Sequence, residues 1–448
     1  MNNTDFSSAT QMRAALTTGD VSALQLCDAA IARIEANPAL NAVVVQDFER
    51  ARQQARAADD AIARGQSRPL LGVPMTVKEA FNVAGLPTTW GFAFNAAYTA
   101  SEDAVAVARL KAAGAVILGK TNVALGLGDY ESNNPVYGRT VNPLDPARSP
   151  GGSSGGSAAA LAAGLVPLEL GSDIGGSIRV PAHFCGVMGH KPTHGLLPTR
   201  GHEFPRYPAA PDPLSVIGPL ARTADDLALA LRVLAGPDAW DALAYALSLP
   251  TSSFERAEGL RVLALRRHPA CVTSQGTQNA VAIAAQRLSK QGARVSDASS
   301  LLPDLMAIHA DYVQMLQTIV TRGMPGTPPP INAHQWLGLL DRRLQWQRGW
   351  QKLFEHFDAV IAPVFGCEAF PHLTAPDWDT TQLDIDGKLG PYRDQLAWSG
   401  LATVAGLPST VVPISSSVRG LPVGVQIIGP LFDDLSTIRL AGCLETTG

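Results

Sequence analysis

The sequence predicts an α/β protein, in which α-helices pack against a β-sheet. Residues 106–121 have the pattern of a helix followed by a strand, and residues 260–299 have that of strand, helix and strand. The composition agrees with this class, because 46% hydrophobic and 17% charged residues are typical of a compact globular chain. A disordered or fibrous protein is therefore excluded.

The first predicted element is an amphipathic helix over residues 20–36. Leu24, Cys27, Ile31 and Ile34 recur at steps of three and four residues, which places them on one helical face. The later elements follow from short apolar runs between turn residues. They are a helix over 47–64, a strand over 70–77 that ends at Lys78, strands over 260–267, 293–299, 357–365 and 420–430, and helices over 276–290 and within 303–356.

The whole-chain properties exclude several functional classes. The 448 residues carry a formal net charge of −4, so we expect no nucleic-acid surface. The first twenty residues do not resemble a signal peptide, and no apolar run reaches the roughly 20 residues that span a bilayer. The five cysteines are far apart and show no zinc-binding spacing. We expect a cytoplasmic protein with reduced thiols that binds no membrane.

Two glycine-rich motifs match the residue types of well-known patterns, but not the local structure that those patterns require. Residues 114–121, "GAVILGKT", match the Walker A nucleotide-binding pattern, but the four variable residues form an apolar strand instead of a phosphate-binding loop. Residues 151–155, "GGSSG", match the nucleophile elbow of α/β-hydrolases, but three prolines in "NPLDPARSP" argue against the strand that must precede it. His190, His194 and His202 are candidate partners for that serine, and none is singled out by its position.

A third interpretation uses a lysine as the base. Lys78 follows a buried strand, where desolvation lowers a lysine pKa. In "GSDIGGSIR", Gly175 and Gly176 allow a tight turn, so that several backbone N–H groups can converge beside Ser177. When each feature is considered alone, the alternatives remain: Lys78 as a solvated lysine at the end of a strand, and Gly175 and Gly176 as a plain glycine turn.

Occurring together, these features strongly resemble the amidase signature family. The matching segments are "GVPMTVKEAF" around Lys78, residues 142–195 with "SPGGSSGGSAAA" and "GSDIGGSIRVP", and "GLPVGVQIIGP" near the end. The resemblance is concentrated in residues 70–235. It implies one domain over residues 1–448, with a central mixed, twisted β-sheet surrounded by helices and a peripheral helical and loop region at about 236–356.

The resemblance also implies the site residues. The family's triad falls on Ser177 as nucleophile, Ser153 as bridging serine after a cis peptide from Gly152, and Lys78 as base. The implied oxyanion hole consists of the backbone N–H groups of Ile174, Gly175, Gly176 and Ser177, with Ser154, Asp173 and Arg179 in supporting roles. No metal or organic cofactor is implied.

The implied activity is hydrolysis of an amide through an acyl-enzyme, with a small-molecule amide and water as the partners. A soluble aryl-substituted amide or a carbamate is the expected substrate. The alternatives are the glutaminase subunit of a tRNA-dependent amidotransferase, an esterase or urethanase of the same family, and a non-catalytic scaffold. A homodimer is left open.

The chain departs from the family pattern after the core. "GHKPTHGLL" has His190 and Leu196 where leucine and arginine are common in the family. We expect such departures to bear on specificity and not on the triad. Three loops are predicted to line the substrate pocket, residues 126–138, 200–215 and 323–336.

Overall fold

The computed structural model describes residues 8–207, 209–322, 330–374 and 376–445. An eleven-stranded sheet runs through it in the order β1-β3-β2-β6-β8-β7-β14-β15-β11-β9-β10, with two separate strand pairs. The strands are β1 Val43–Gln46, β2 Pro74–Lys78, β3 Val116–Thr121, β4 Asn133–Asn134, β5 Gly138–Arg139, β6 Leu168–Asp173, β7 Met188–Lys191, β8 Val216–Ala221, β9 Arg261–Ala264, β10 Arg294–Ser296, β11 Ala359–Pro363, β12 Gln382–Ile385, β13 Lys388–Pro391, β14 Ser409–Ser416 and β15 Pro422–Ile428.

Helices cover both faces of the sheet, and a hydrophobic core lies on each side. They are α1 Ala9–Thr18, α2 Ala23–Ala36, α3 Phe48–Ala63, α4 Val105–Ala112, α5 Gly155–Ala162, α6 Arg179–Cys185, α7 Ala224–Leu234, α8 Gln275–Lys290, α9 Leu305–Val320, α10 Ala333–Phe354, α11 Leu396–Thr403 and α12 Asp434–Leu444. Among the described residues, none of the helices combines the length and the apolarity that crossing a membrane requires.

The predicted fold class is confirmed. The sheet is mixed: β2 pairs in parallel with β3 and β6, and β9 with β10 and β11, whereas the other pairs of the large sheet are antiparallel. Strands β9 and β10 come from the region of residues 236–356 and extend the sheet at one edge.

Most predicted elements are present, with shifted ends. The helix predicted over 20–36 is α2, which begins after Ser22 because Ser22 and Gln25 form a reciprocal capping box. The strand predicted over 260–267 ends at Ala264, before two arginines. Strands β1, β7, β8 and β14 of the large sheet and the two separate strand pairs, β4–β5 and β12–β13, are not predicted from the sequence.

Two features of the fold bring the predicted site together. Strands β2 and β6 are parallel neighbours, with Thr76 opposite Glu169 and Val77 opposite Leu170. Their carboxyl ends therefore lie side by side, which is where open α/β sheets commonly carry ligands. Lys78 ends β2 and Asp173 ends β6. Helix α5 begins directly after the first serine-glycine turn.

Candidate active site

Lys78 lies at the centre of the candidate site and is completely buried. Its Nζ donates to the Oγ of Ser153 at 2.6 Å and to the Oγ of Ser172 at 3.0 Å. Burial lowers the pKa of Lys78 to about 7, although the nearby charge of Asp173 acts in the opposite direction. A lysine with this pKa is partly neutral at neutral pH and can act as a base.

The peptide bond between Gly152 and Ser153 is cis, as the family resemblance implies. A side chain at Gly152 could not be accommodated, because a Cβ there would lie 2.2 Å from the carbonyl oxygen of Asp129. Ser154 joins the two serine-glycine turns. Its backbone N–H donates to the carbonyl of Ser177 at 3.2 Å, and its Oγ donates to the carbonyl of Ser172 at 3.3 Å.

The second serine-glycine turn, residues 171–177, is organised around Asp173 and Arg179. These two side chains form a fully buried ion pair at 2.9 Å. The carboxylate of Asp173 also accepts the backbone N–H groups of Gly176, Ile178 and Arg179, at 2.9, 3.1 and 3.3 Å. Burial opposes ionisation of Asp173, but the positive charge and hydrogen bonds of Arg179 outweigh it and lower the pKa to about 2. The carboxylate therefore remains charged and fixes the turn.

The four predicted oxyanion donors are not equivalent. The N–H of Gly176 is directed to Asp173, whereas those of Ile174, Gly175 and Ser177 donate to no described residue. The carbonyl of Ile174 accepts a hydrogen bond from the Tyr312 hydroxyl at 2.7 Å, and that of Gly175 accepts one from the Tyr130 hydroxyl at 3.0 Å. Three of the four backbone N–H groups therefore have no hydrogen-bond partner among the described residues.

The nucleophile candidate, Ser177, is 6% exposed and lies on the same turn. Within the described part of the chain, no hydrogen bond joins its hydroxyl to that of Ser153. Catalytic hydrogen bonds are often loose before substrate binds, so this geometry is compatible with a relay through Ser153.

Two buried polar residues of the site escape the sequence analysis. Ser172 is the second hydroxyl that contacts Lys78, and it lies inside the motif already singled out. Glu169 bonds to Thr76, and Thr121 donates to it at 3.4 Å. Burial raises the pKa of Glu169 to about 8, despite these hydrogen bonds, so the carboxyl is mostly protonated at neutral pH. The pairing of β2 with β6 reveals this residue, and no sequence motif does.

The rejected motifs have structural roles. Lys120, from the Walker-like segment, lies within β3 and binds the Thr88 hydroxyl at 2.9 Å. His190 is buried inside the sheet, and its ring contacts Thr410 and Asp434 at 2.9 and 3.1 Å. The ring of His194 bonds the carbonyl of Asp212. The histidines thus form no catalytic dyad with Ser153 among the described contacts.

The loops predicted to line the pocket differ in position. Residues 126–138 border the site, since Asp129 and Tyr130 contact its two turns. The 200–215 loop packs its Phe204 against Trp90 and Phe92. Residues 323–329 lie outside the described residues, and the rest of that segment leads into α10.

Among the described residues, no group of three or more His, Cys, Asp or Glu side chains is placed to hold a metal ion. The five cysteines are free thiols, four of them buried.

Comparisons with known proteins identify the family of the chain. The sequence profile of the family Amidase matches residues 25–320 and 314–438. This chain belongs to the amidase signature family. Its membership confirms the predicted resemblance and the predicted class of enzyme, an amidase acting on carbon–nitrogen bonds.

Several family members resemble the chain over nearly its full length. A glutamyl-tRNA(Gln) amidotransferase subunit of Roseiflexus castenholzii is 36% identical, over 97% of this chain and 94% of that protein. AtzE, the 1-carboxybiuret hydrolase subunit of Pseudomonas sp. strain ADP, is 35% identical, over 97% of each chain. The crystal structure of a bacterial aryl acylamidase of the family superimposes with a TM-score of 0.83 at 27% identity, over 97% of this chain and 95% of that one.

Proposed function

We propose that this amidase hydrolyses a small amide, with aryl-substituted amides and carbamates as the preferred class, through Ser177, Ser153 and Lys78. The observation that carries the proposal is the buried contact of 2.6 Å between Lys78 Nζ and Ser153 Oγ. The residue after Ser153, Ser154, donates its backbone N–H to the carbonyl of Ser177 at 3.2 Å. A neutral lysine held against a hydroxyl can draw a proton through that hydroxyl.

In the proposed mechanism, Ser177 Oγ attacks the substrate carbonyl carbon. Its proton passes to Ser153 while the proton of Ser153 passes to Lys78. The oxyanion is held by the free N–H groups of Ile174, Gly175 and Ser177. Ser153 then donates a proton to the leaving nitrogen and recovers one from Lys78, which leaves an acyl group on Ser177.

Deacylation repeats the relay with water. Water loses its proton through Ser153 to Lys78 as its oxygen attacks the acyl carbon. Collapse of the intermediate breaks the ester bond and returns the proton to Ser177 Oγ. The product is a carboxylic acid, or a carbonic acid monoester when the substrate is a carbamate, because the nitrogen is the group that leaves.

Labelling with a fluorophosphonate tests the nucleophile. We expect covalent modification of Ser177, located by mass spectrometry, and no label in the Ser177→Ala variant. Ser253→Ala, a change outside the site, is the control and should label like the unmodified protein. A label on another serine with loss of amide hydrolysis would contradict the assignment.

Loss of the base should affect amides more than esters. We expect Lys78→Ala to reduce amide kcat/KM at least about 100-fold, and hydrolysis of the matching phenyl ester by less, because a phenoxide leaves without full protonation. Parallel assays of an anilide and the phenyl ester of the same acid measure the difference. Equal losses would argue against a relay that protonates the leaving nitrogen.

A second candidate function is that of a glutaminase subunit. It is favoured by the 36% identity to a glutamyl-tRNA(Gln) amidotransferase subunit over nearly the whole chain. Glutamine therefore belongs in the same turnover screen as anilides, carbamates and esters, with Ser177→Ala as blank. Efficient glutamine hydrolysis with negligible anilide turnover would favour this candidate.

A further inference from the structure

Two tyrosine hydroxyls contact the backbone carbonyls of the second serine-glycine turn. The hydroxyl of Tyr312 donates to the carbonyl of Ile174 at 2.7 Å, and the hydroxyl of Tyr130 donates to the carbonyl of Gly175 at 3.0 Å. Both tyrosines are almost fully buried. Burial raises the pKa of each phenol above its ordinary value, so both hydroxyls keep their protons at neutral pH. Each carbonyl therefore has a neutral donor as its partner.

Each of these carbonyls shares a peptide group with the N–H of the next residue. The carbonyl of Ile174 shares its group with the N–H of Gly175, and the carbonyl of Gly175 shares its group with the N–H of Gly176. The two ends of a peptide group are conjugated, so a hydrogen bond accepted by the oxygen polarises the group and makes its N–H a stronger donor. Each tyrosine therefore acts on the N–H that follows its carbonyl.

The two N–H groups have different partners. The N–H of Gly176 donates to the carboxylate of Asp173 at 2.9 Å. The N–H of Gly175 donates to no described residue and belongs to the proposed oxyanion hole. Tyr312 therefore strengthens a donor that faces the reaction, whereas Tyr130 strengthens a hydrogen bond within the protein.

The position of Tyr312 also fixes the direction of the Gly175 N–H. The peptide bond between Ile174 and Gly175 is trans, so its C=O and N–H point in opposite directions. The ring of Tyr312 packs closely on α11, since a Cβ at Gly400 would lie 2.7 Å from the ring. A closely packed ring holds its hydroxyl in place, and the hydroxyl holds the peptide group.

The hydroxyl of Tyr312 does not act on the substrate oxygen directly. A phenol has one proton to donate, and the carbonyl of Ile174 accepts it. The influence of Tyr312 on the reaction therefore passes through the peptide group.

We propose that Tyr312 is a positioning residue of the oxyanion hole, which orients and strengthens the N–H of Gly175 through the peptide group shared with Ile174. This inference rests on the proposed function and deepens it, because it names a side chain on which the oxyanion hole depends. The negative charge on the substrate oxygen develops in the transition state, so the effect of Tyr312 falls on kcat and little on KM.

A pair of esters that differ in one atom tests the inference. They are phenyl butanoate and its thiono analogue, in which sulfur replaces the carbonyl oxygen. Sulfur is a weak acceptor, so the ratio of the two kcat values measures what the N–H donors contribute. We expect Tyr312→Phe to lower kcat for the oxygen ester about 5- to 50-fold, less than the roughly 100- to 1,000-fold cost of losing a whole donor. KM should change little, and the ratio should fall by a factor similar to that of kcat.

Tyr130→Phe is the matched control, because it removes the same kind of contact from the neighbouring carbonyl. The hydroxyl of Tyr130 also bonds Ser399, so this control removes at least as many hydrogen bonds as Tyr312→Phe. Any loss of kcat should be equal for the two esters, and the ratio should stay unchanged. Tyr312→4-aminophenylalanine keeps a donor on the ring and should retain most of the ratio. This variant also provides the test if Tyr312→Phe does not fold, which urea unfolding shows.

Equal losses for the two esters in Tyr312→Phe would overturn the inference, since a purely structural tyrosine would affect both alike. A fall of the ratio in Tyr130→Phe as large as that in Tyr312→Phe would also overturn it. Turnover of the oxygen ester by Ser177→Ala is a separate measurement. Turnover that survives in this variant would count against the proposed function instead.

Discussion

Burial alone does not distinguish the candidate base from other lysines. Lys78, Lys120 and Lys191 are all completely buried, and burial lowers their pKa values to about 7, 8 and 7. Their partners differ: Lys78 binds two serine hydroxyls, whereas Lys191 binds the carbonyl of Pro192. A hydroxyl can relay a proton and a carbonyl cannot, which separates Lys78 from Lys191. Lys120 also binds a hydroxyl, that of Thr88, but only Lys78 of these three lysines contacts a serine of the glycine-rich turns in the described structure.

The pKa of Lys78 predicts the pH dependence of the reaction. The base must be neutral, so kcat/KM should rise with pH through about 7 and then reach a plateau. Lys120→Met should retain this rise, since Lys120 contacts Thr88 instead of the serines. Rate measurements from about pH 5.5 to about pH 9 on a neutral anilide make the check. A flat profile, or the same rise in Lys78→Ala, would show that another group titrates.

Glu169 predicts a pH effect on stability. Its folded pKa is raised to about 8, above that of an unfolded glutamate, so unfolding releases a proton between about pH 4.5 and 8. Its contribution to stability therefore falls as pH rises through this range. Glu169→Gln removes the effect, and its free energy of unfolding relative to the unmodified protein should improve by about 1 kcal/mol or more from about pH 5 to about pH 8.

Urea unfolding at the two pH values measures this difference. The matched control is Glu49→Gln, since Glu49 is exposed and bonds only to the surface residue Arg52 among the described side chains. Its stability relative to the unmodified protein should not change with pH in this way. An identical pH response in Glu169→Gln and the unmodified protein would show that Glu169 is already ionised.

At the scale of elements, the turns were predictable and their surroundings were not. Glycines and serines mark the two turns, and the apolar run before Lys78 marks β2. The sequence does not show that the N–H of Gly176 donates to Asp173, because this hydrogen bond depends on the exact fold of the second turn. The contacts from α9 and α11 come from residues far along the chain, such as Tyr312 on Ile174, 138 positions away, which no local pattern reports.

The Asp173–Arg179 pair provides a test at this scale. We expect Asp173→Asn to cost about 3 kcal/mol of stability, because it leaves the buried Arg179 without its counter-charge. It should also lower kcat at least about 100-fold, because the turn loses its anchor. Urea unfolding and kcat measure the two effects.

Asp145→Asn is the matched control for that substitution. Asp145 also pairs with an arginine, Arg148, at 3.0 Å, but its side chain is 40% exposed. We expect a loss below about 1 kcal/mol and unchanged kcat. A similar small loss in Asp173→Asn would mean that the turn does not depend on the buried ion pair.

Over the whole molecule, the alternation of strands and helices predicted the class but not the strand order. The last strands along the chain, β14 and β15, lie in the middle of the sheet, between β7 and β11. Such an order follows from packing between distant parts of the chain, and the hydrophobic periodicity of the sequence reports only local structure. The sheet therefore joins residues from both halves of the chain. Side chains whose hydrogen bonds connect the two halves should affect stability and not specificity.

Asp434 is such a group. It begins α12 and accepts the N–H and hydroxyl of Thr193 at 2.7 and 2.6 Å, and its Oδ1 lies 3.1 Å from the ring of His190. We expect Asp434→Ala to lower the free energy of unfolding by about 3 kcal/mol, because it leaves these buried partners unpaired. The ratio of anilide to ester kcat/KM should stay unchanged in the folded enzyme, as it should in His190→Ala. The exposed Asp60→Ala serves as the control. A changed ratio in His190→Ala would instead give this family departure a role in specificity.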